Sequence, residues 1–228
     1  MHELRDRLGV ELRRQGFAWG HVASDRWEAV RKSAAGSVLD VGCSNGVYVD
    51  RLRSEGVRVA GLDLLDSPAW KAARGDFAVG DACHLPFADA SFETVLSFET
   101  LEHVPRPEAA LREYHRVCRR NVILSVPNCE TPQEFRDGGL TFHHWIDRTH
   151  VNFFTLASLV ETVERAGFRV SHSRPINRAL PALPALRALG IPARAARPLA
   201  KVFGKISRRT YPMSLLVVGE KIPEPGAF

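Results

Sequence analysis

The segment Val38–Val49, which reads VLDVGCSNGVYV, limits the fold of this chain more than any other stretch. It begins with a short apolar run rich in Val and Leu, which is typical of a strand buried on both faces. Gly42 and Gly46 follow at once, and glycines let a backbone turn sharply and approach a ligand closely. The segment therefore predicts a strand, a tight turn and the start of a helix, with a ligand near the turn.

Strand-like and helix-like segments alternate beyond this unit. The alternation predicts an α/β fold with a doubly wound, mostly parallel seven-stranded sheet and helices on both of its faces. Pro107–Arg119 begins with proline at a first-turn position, and Thr155–Ala166 has a threonine cap and Gly167 as its stop. His21–Ala34 suits a helix before the first strand. The predicted strands are Ser37–Cys43, Val57–Asp63, Phe77–Gly80, Phe92–Phe98, Asn121–Val126, Phe168–Arg174 and Ser214–Gly219.

The length of 228 residues suits one α/β domain with a substantial core. We expect an N-terminal helical cap over residues 1–35, a core over 36–175 and 211–222, and a basic helical insert over 176–210. Neither a signal peptide nor a membrane-spanning helix is expected, because no apolar run has the required length or position. The four cysteines form no CxxC pair, so we expect a cytoplasmic protein without a disulfide framework or zinc site.

The glycine turn lacks the patterns of two common nucleotide-binding loops. A dinucleotide fingerprint from Gly42 needs further glycines where the chain has Ser44 and Val47, and the GK[ST] ending of a P-loop is absent. A nicotinamide-dependent oxidoreductase is therefore disfavoured. Asp63 ends the second predicted strand, where a carboxylate can accept hydrogen bonds from two ribose hydroxyls. A turn in which the glycines serve geometry alone remains the alternative.

Several sequence motifs that occur in this order resemble those of a known family: VLDVGCSNG, GLD, GDACHLPFADASFETVLSFETLEHV and FFTLASLVETVERAGF. Over Val38–Val170 they resemble the class I S-adenosylmethionine-dependent methyltransferases, particularly those that act on small molecules. The resemblance implies S-adenosylmethionine as the cofactor.

The resemblance assigns roles in cofactor binding to two groups of residues. Gly42, Ser44 and Gly46 would form the loop beside the methionine part of the cofactor. Asp40 would organise that loop and the cofactor's ammonium, and Asp63 would hold the ribose. Ser44 departs from the family, which often has glycine there, but serine is small and we expect it to be tolerated.

The second group follows the third and fourth strands. Asp81 would accept a hydrogen bond from the adenine amino group, with the backbone of Ala82 nearby. Phe98 and Glu99 would border the methionine end. The alternative for Asp81 is a turn aspartate, because aspartate often serves turns.

Two segments offer candidate groups for the methyl acceptor. His103 lies in the phrase LEHV after the fourth strand, and Asp147 and His150 lie in a long loop that also holds His143 and His144. Phrases of the form D-x-T-H-x-x-F-[FY]-T precede the last long helix in related methyltransferases, including some that modify sugars or lipid-linked intermediates. His150 is our first choice for a general base or acceptor-orienting group, with Asp147 as its partner.

Structural roles are the alternative for this loop. Asp147 and His150 could tie it to the following helix, and His103 could cap or pack a short helix. The irregular spacing of the loop histidines and Asp147 matches no known ligand signature, so the sequence predicts no metal site.

Between Arg187 and Arg209 the chain has seven Lys or Arg and no acidic residue. This excess favours an anionic neighbour, so residues 179–209 could form a lid over the acceptor or a membrane-surface contact. A solvated helix pair remains open, and nucleic-acid binding is not expected without a basic groove interleaved with aromatics.

The sequence predicts methyl transfer to a small-molecule acceptor at oxygen, with a sugar or a lipid-linked intermediate as candidates. The alternative is a non-catalytic binding module that kept the cofactor fold and acts through its basic insert.

Overall fold

The structure is a computed structural model that describes residues 22–71, 75–137, 145, 147–179, 182–207 and 210–222. Residues 1–21 of the predicted N-terminal cap lie outside the described residues. So do His143 and His144 of the long loop. The four cysteines are buried and free.

Seven strands form one sheet in the order β3-β2-β1-β4-β5-β7-β6. β7 pairs antiparallel with both β5 and β6. All the pairs formed among the first five strands, β1 to β5, are parallel. This arrangement confirms the predicted doubly wound, mostly parallel fold. The strands are β1 (Val38–Val41), β2 (Val59–Asp63), β3 (Asp76–Val79), β4 (Phe92–Phe98), β5 (Cys118–Pro127), β6 (Phe168–Ala179) and β7 (Tyr211–Lys221).

The helices begin and end close to the predicted signals. The predicted threonine cap of α5 is confirmed by a capping box, in which the Thr155 hydroxyl accepts from the Ser158 amide and the Ser158 hydroxyl accepts from the Thr155 amide. One-turn 3-10 helices cover Pro68–Lys71 and Leu101–His103. The helices are α1 (Ser24–Ser33), α2 (Val47–Ser54), α3 (Pro107–Val117), α4 (Gln133–Asp137), α5 (Leu156–Arg165), α6 (Ala182–Ala188) and α7 (Ala193–Ile206).

The core has one apolar layer on each face of the sheet. Leu111 of α3 and Leu159 of α5 are buried in one layer, and Val30 of α1 and Val49 of α2 are buried in the other. Helices therefore cover both faces, which explains why β1, β4 and β5 are apolar over most of their length.

β6 is longer than its apolar pattern predicts. It pairs with β7 as far as Ala179, so residues 176–179 belong to the sheet rather than to the predicted insert. Pro175 lies inside this extension and interrupts the strand pattern in the sequence. A proline is tolerated there because β6 is the edge strand, where a missing N–H can face away from the sheet.

The basic segment forms two helices, α6 and α7. Exposed apolar side chains recur on α7 at helical spacing, so they share one face. They are Leu199, Val202, Phe203 and Ile206. No helix in the described ranges combines the length and apolar character needed to cross a lipid bilayer.

Candidate functional site

The residues predicted to bind the cofactor converge at one edge of the sheet. β1 lies between β2 and β4, and the strand order reverses direction there. In open α/β sheets, ligands bind in the crevice at such a point, beyond the carboxyl ends of the strands. The glycine turn after β1, Asp63 at the end of β2, and Phe98 at the end of β4 all lie at this edge.

The turn between β1 and α2 needs residues without large side chains. Gly42, Ser44 and Gly46 all have positive φ, at 79°, 49° and 84°. A Cβ built on Gly42 would lie 2.1 Å from Thr100 Oγ1, and one on Gly46 would lie 2.8 Å from the Phe77 ring. Serine at position 44 is accommodated, but in a left-handed conformation that costs a non-glycine residue roughly 1–2 kcal/mol. This cost explains the preference for glycine that the resemblance implies.

Asp63 holds the glycine turn in place. Its Oδ2 accepts a hydrogen bond from the Ser44 amide at 2.8 Å, and its Oδ1 accepts from the Leu65 amide at 3.2 Å. Burial raises the pKa of Asp63, although these amide hydrogen bonds oppose the rise. A carboxylate has about four lone-pair sites, so two neighbouring ribose hydroxyls could share it with the two amides.

Asp40 lies buried in β1, in front of the turn. Burial, and next the charge of Asp63, raise the pKa of Asp40 to about 7. A carboxyl held in this way gains from a nearby cation, because the cation offsets both the desolvation and the like charge. The ammonium group of S-adenosylmethionine is such a cation, so these acidic residues fit the cofactor.

An aromatic pair fixes the far side of the turn. Trp70 Nε1 donates a hydrogen bond to the Ser44 carbonyl at 2.8 Å, and the Trp70 ring stacks on Phe77 with centroids 4.9 Å apart. Sequence reasoning missed both residues. A signal was present in the small residues Gly46 and Gly61, each of which leaves room for the Phe77 ring.

Asp81 takes the geometry of a turn aspartate. Its Oδ1 accepts from the Cys83 amide at 2.9 Å, and its Oδ2 lies 3.3 Å from His84 Nδ1. Ala82 packs against the core. The structural role that the sequence left open is therefore present, and the adenine contacts of Asp81 and Ala82 stay a prediction.

The end of the crevice that is predicted to hold the methionine part of the cofactor has a largely buried charge pair, which was not predicted from the sequence. Arg26 of α1 is 4% exposed and forms an ion pair with Glu99, the residue after β4. Glu99 has a φ of 50°, and backbone strain of this kind often marks functional sites. Phe98 contacts Tyr48 with ring centroids 4.8 Å apart. The helix before β1 thus contributes to the site.

The three residues predicted for catalysis lie together. The rings of His103 and His150 pack edge to face with centroids 4.8 Å apart, and His150 Nε2 lies 3.7 Å from Asp147 Oδ2. His103 Nδ1 is 3.1 Å from the Thr149 carbonyl, which fixes Nδ1 as the protonated nitrogen. We call Glu102, His103, Asp147 and His150 the acceptor-side cluster.

Backbone hydrogen bonds hold this cluster together across a long sequence separation. The amides of Val151 and Asn152 both donate to the Glu102 carbonyl, at 2.8 and 3.1 Å. The Asn152 side-chain amide donates to the carbonyls of Leu101 and Val104. The loop is therefore attached to the 3-10 helix after β4, rather than only to the helix that follows it.

The pKa values of the groups in this cluster are shifted in opposite directions. Burial, with the charge of His150, lowers the pKa of His103 to about 4, so this imidazole is neutral at pH 7. Burial and next the charge of Glu99 raise the pKa of Glu102 well above its usual range. Burial alone would raise the pKa of Asp147, but hydrogen bonds from Thr149 and the nearby histidines lower it on balance.

An open cleft of about 660 Å³ lies beside the loop. Its lining includes Cys129, Arg136, Trp145 and Thr155. The Trp145 ring stacks on Phe153 with centroids 4.7 Å apart and is 42% exposed. Exposed stacked aromatics beside an arginine suit a planar or ring-shaped acceptor with polar substituents.

Comparisons with known proteins agree with this geometry. Residues 39–126 match the family model described as a methyltransferase domain. A probable S-adenosylmethionine-dependent methyltransferase of Mycolicibacterium smegmatis is 30% identical over 145 residues, which cover 61% of this chain and 54% of that protein. A ubiquinone biosynthesis O-methyltransferase of Pseudomonas paraeruginosa is 32% identical over 114 residues, covering 45% and 49%.

A solved structure shares the fold. The Burkholderia thailandensis 1,6-didemethyltoxoflavin-N1-methyltransferase, with 1,6-didemethyltoxoflavin and S-adenosylhomocysteine bound, superposes with a TM-score of 0.64 at 17% identity. The match covers 96% of this chain and 88% of that one.

The chain spans about half the length of the curated relatives that it matches. The segment matched by the family model, residues 39–126, contains the glycine turn, Asp63 and the end of β4, which form the crevice. The domain model, the relatives and the crevice together show that residues 39–126 form a methyltransferase domain of the class I S-adenosylmethionine-dependent type.

Proposed function

We propose that this chain transfers the methyl group of S-adenosylmethionine to a hydroxyl oxygen of a small-molecule acceptor. The observation that carries the proposal is the position of the acceptor-side cluster. It follows β4 at the sheet edge that holds the glycine turn, and Thr100, two residues before Glu102, contacts Gly42. A sugar or a lipid-linked intermediate is the candidate acceptor.

The chemistry favours oxygen over nitrogen. The cofactor supplies a methyl on a cationic sulfur, which leaves with the electron pair of its carbon bond as the acceptor oxygen bonds to the carbon. A hydroxyl must also lose its proton, whereas an amine needs only to arrive neutral. Asp147 Oδ2 lies 3.7 Å from His150 Nε2 and could balance a positive charge on that ring. In this proposal His150 orients the hydroxyl or accepts its proton.

Titration of the purified chain with S-adenosylhomocysteine tests the cofactor half of the proposal, and a screen of hydroxyl-bearing acceptors by mass spectrometry tests the rest. We expect one binding site per chain and a product heavier by one methylene. Folded protein without detectable binding at high micromolar ligand would refute the proposal.

His150→Ala should lower turnover by roughly 10²-fold or more, as expected when a group that assists proton transfer is lost. Its effect on S-adenosylhomocysteine affinity should stay below about 3-fold, because the proposal gives His150 a contact with the acceptor and none with the cofactor. Steady-state kinetics and calorimetry on the same preparation separate the two effects. Equal losses in turnover and affinity would indicate that His150 only supports the loop.

We also propose that α7 rests on an anionic membrane surface. The apolar face formed by Leu199, Val202, Phe203 and Ile206 is exposed, and Lys201 and Lys205 on the same helix are exposed and basic. A helix with an exposed apolar stripe and a basic flank binds in the plane of an anionic bilayer. This contact would place the chain near a lipid-linked acceptor.

Cosedimentation with vesicles tests this contact. We expect binding to phosphatidylserine-containing vesicles that weakens with salt, and weak binding to pure phosphatidylcholine. Phe203→Glu should reduce binding by about 10-fold or more, since it removes apolar burial and adds a repelled charge. The control Ile222→Glu changes an exposed residue after β7 and should leave binding unchanged. Equal vesicle binding by Phe203→Glu and Ile222→Glu would contradict the membrane contact. Vesicle binding by a protein that does not bind the cofactor would instead favour the non-catalytic binding module.

A further inference from the structure

Three side chains of the acceptor-side cluster form a set that methyl transfer alone does not require. Glu102, His103 and His150 each direct one potential ligand atom into a common space, and these atoms lie within 4.8 Å of one another. Two atoms that bind one ion at about 2.1 Å are at most about 4.2 Å apart. Small side-chain rotations would therefore close the set around an ion.

Glu102 provides a second and independent observation. The residue is 1% exposed, and its Oε2 has no hydrogen-bond partner among the residues that the structure describes. A buried carboxyl oxygen without a partner carries a desolvation cost of several kcal/mol when it is charged. A cation bound by this carboxylate would offset that cost.

His103 has the arrangement of a metal-bound histidine. Its Nδ1 donates to the Thr149 carbonyl at 3.1 Å, and its Nε2 lies 3.8 Å from Glu102 Oε1. Metal-binding histidines usually donate their other ring N–H to a carboxylate or backbone carbonyl, which fixes the tautomer and the ring orientation. The nitrogen that remains is the one that faces Glu102.

The charges around the cluster also favour a cation. Glu99, Glu102 and Asp147 bring three carboxyl groups to this region, and Arg26 forms an ion pair with Glu99. Asp147 Oδ2 lies 3.7 Å from His150 Nε2, so it could orient that ring or complete the charge balance.

We propose that Glu102, His103 and His150 bind a divalent transition-metal ion that holds the acceptor's hydroxyl oxygen. Two imidazoles and one carboxylate are a set that zinc and iron(II) accept, and it leaves coordination positions open. A hydroxyl bound at an open position becomes more acidic, and its proton leaves to solvent. This inference rests on the proposed function and refines it, because His150 then binds the ion instead of acting alone as a base.

The test uses protein purified without a histidine tag, stripped of metal and titrated with Co²⁺, whose visible absorption reports nitrogen and oxygen ligands. We expect one ion per chain, displaced by Zn²⁺. Glu102→Gln and His150→Ala should each weaken Co²⁺ binding by more than 10-fold. His172→Ala is the matched control, since it removes an exposed histidine of β6 and should change nothing.

S-adenosylhomocysteine titrations of the same proteins distinguish this inference from the proposed function. Intact cofactor binding without a Co²⁺ site would overturn the metal inference and leave methyl transfer standing. Co²⁺ binding that is identical in His150→Ala, His172→Ala and the parent protein would also overturn it. If Glu102→Gln does not fold, His103→Ala provides the second ligand variant.

Discussion

Replacing Asp63 with alanine is expected to lower the affinity for S-adenosylhomocysteine by roughly 100-fold or more. The carboxylate accepts from the Ser44 and Leu65 amides and so fixes the turn. We propose, from the family resemblance, that it also accepts from the ribose of the cofactor. Hydrogen bonds to a charged group contribute about 1.5–3 kcal/mol each, and about 1.4 kcal/mol corresponds to a factor of ten in affinity. The loss of two ribose contacts alone accounts for the predicted effect.

Two further variants show which property of Asp63 matters. Asp66→Ala removes the same charge from an exposed position three residues away and should leave affinity unchanged. Asp63→Asn keeps one acceptor oxygen and should fall between the parent protein and Asp63→Ala. Calorimetry gives the affinities, and circular dichroism verifies the fold. Affinity in folded Asp63→Ala within about 3-fold of the parent protein would show that Asp63 does not bind the ribose.

Gly42→Ala is expected to destabilise the fold by about 2–5 kcal/mol and to abolish cofactor binding. Alanine at a φ of 79° costs about 1–2 kcal/mol for the left-handed conformation alone. The new Cβ would also meet Thr100, at 2.1 Å from Oγ1 and 2.7 Å from Cγ2, and overpacking of this kind costs about 1–3 kcal/mol. Thr100 cannot turn away freely, because its hydroxyl lies within hydrogen-bond distance of the Val41 and Phe98 carbonyls.

The chain contains a matched control for this substitution. Gly56 has the same φ of 79°, but nothing lies within 4 Å of the position that its Cβ would take. Gly56→Ala should therefore show the conformational cost alone and keep cofactor binding. Urea unfolding gives both stabilities, and Thr100→Ala should restore part of the stability lost in Gly42→Ala. Equal destabilisation by the two alanines would rule out the clash with Thr100.

The parts of this protein that could be predicted from the sequence depend on residues that are close together in the chain. The strand–turn–helix unit around Gly42 was readable because an apolar run and glycines follow one another within a few residues. The start of α5 could be predicted because its cap involves only Thr155 and Ser158, which are three residues apart in the chain. The extension of β6 was not readable, because its pairing with β7 depends on a partner distant in sequence.

The candidate site also contains residues that could be predicted from the sequence and residues that could not. Asp63 could be named from the sequence because it ends the second predicted strand, and Asp40 was named from the family resemblance. The ion pair between Arg26 and Glu99 had no comparable signal, because its partners come from α1 and the end of β4 and meet only when the helix packs on the sheet.

The sequence by itself determined the fold class, the glycine turn and the position of Asp63 beside it, because these follow from patterns within single elements. The acceptor-side cluster was decided by the tertiary structure. In the sequence, His103 and His150 lie in separate segments, and the spacing within the loop predicted no metal site. The hydrogen bonds from Val151 and Asn152 to the Glu102 carbonyl, together with the one from His103 to the Thr149 carbonyl, bring the loop to the end of β4. These contacts place Glu102, His103 and His150 close together.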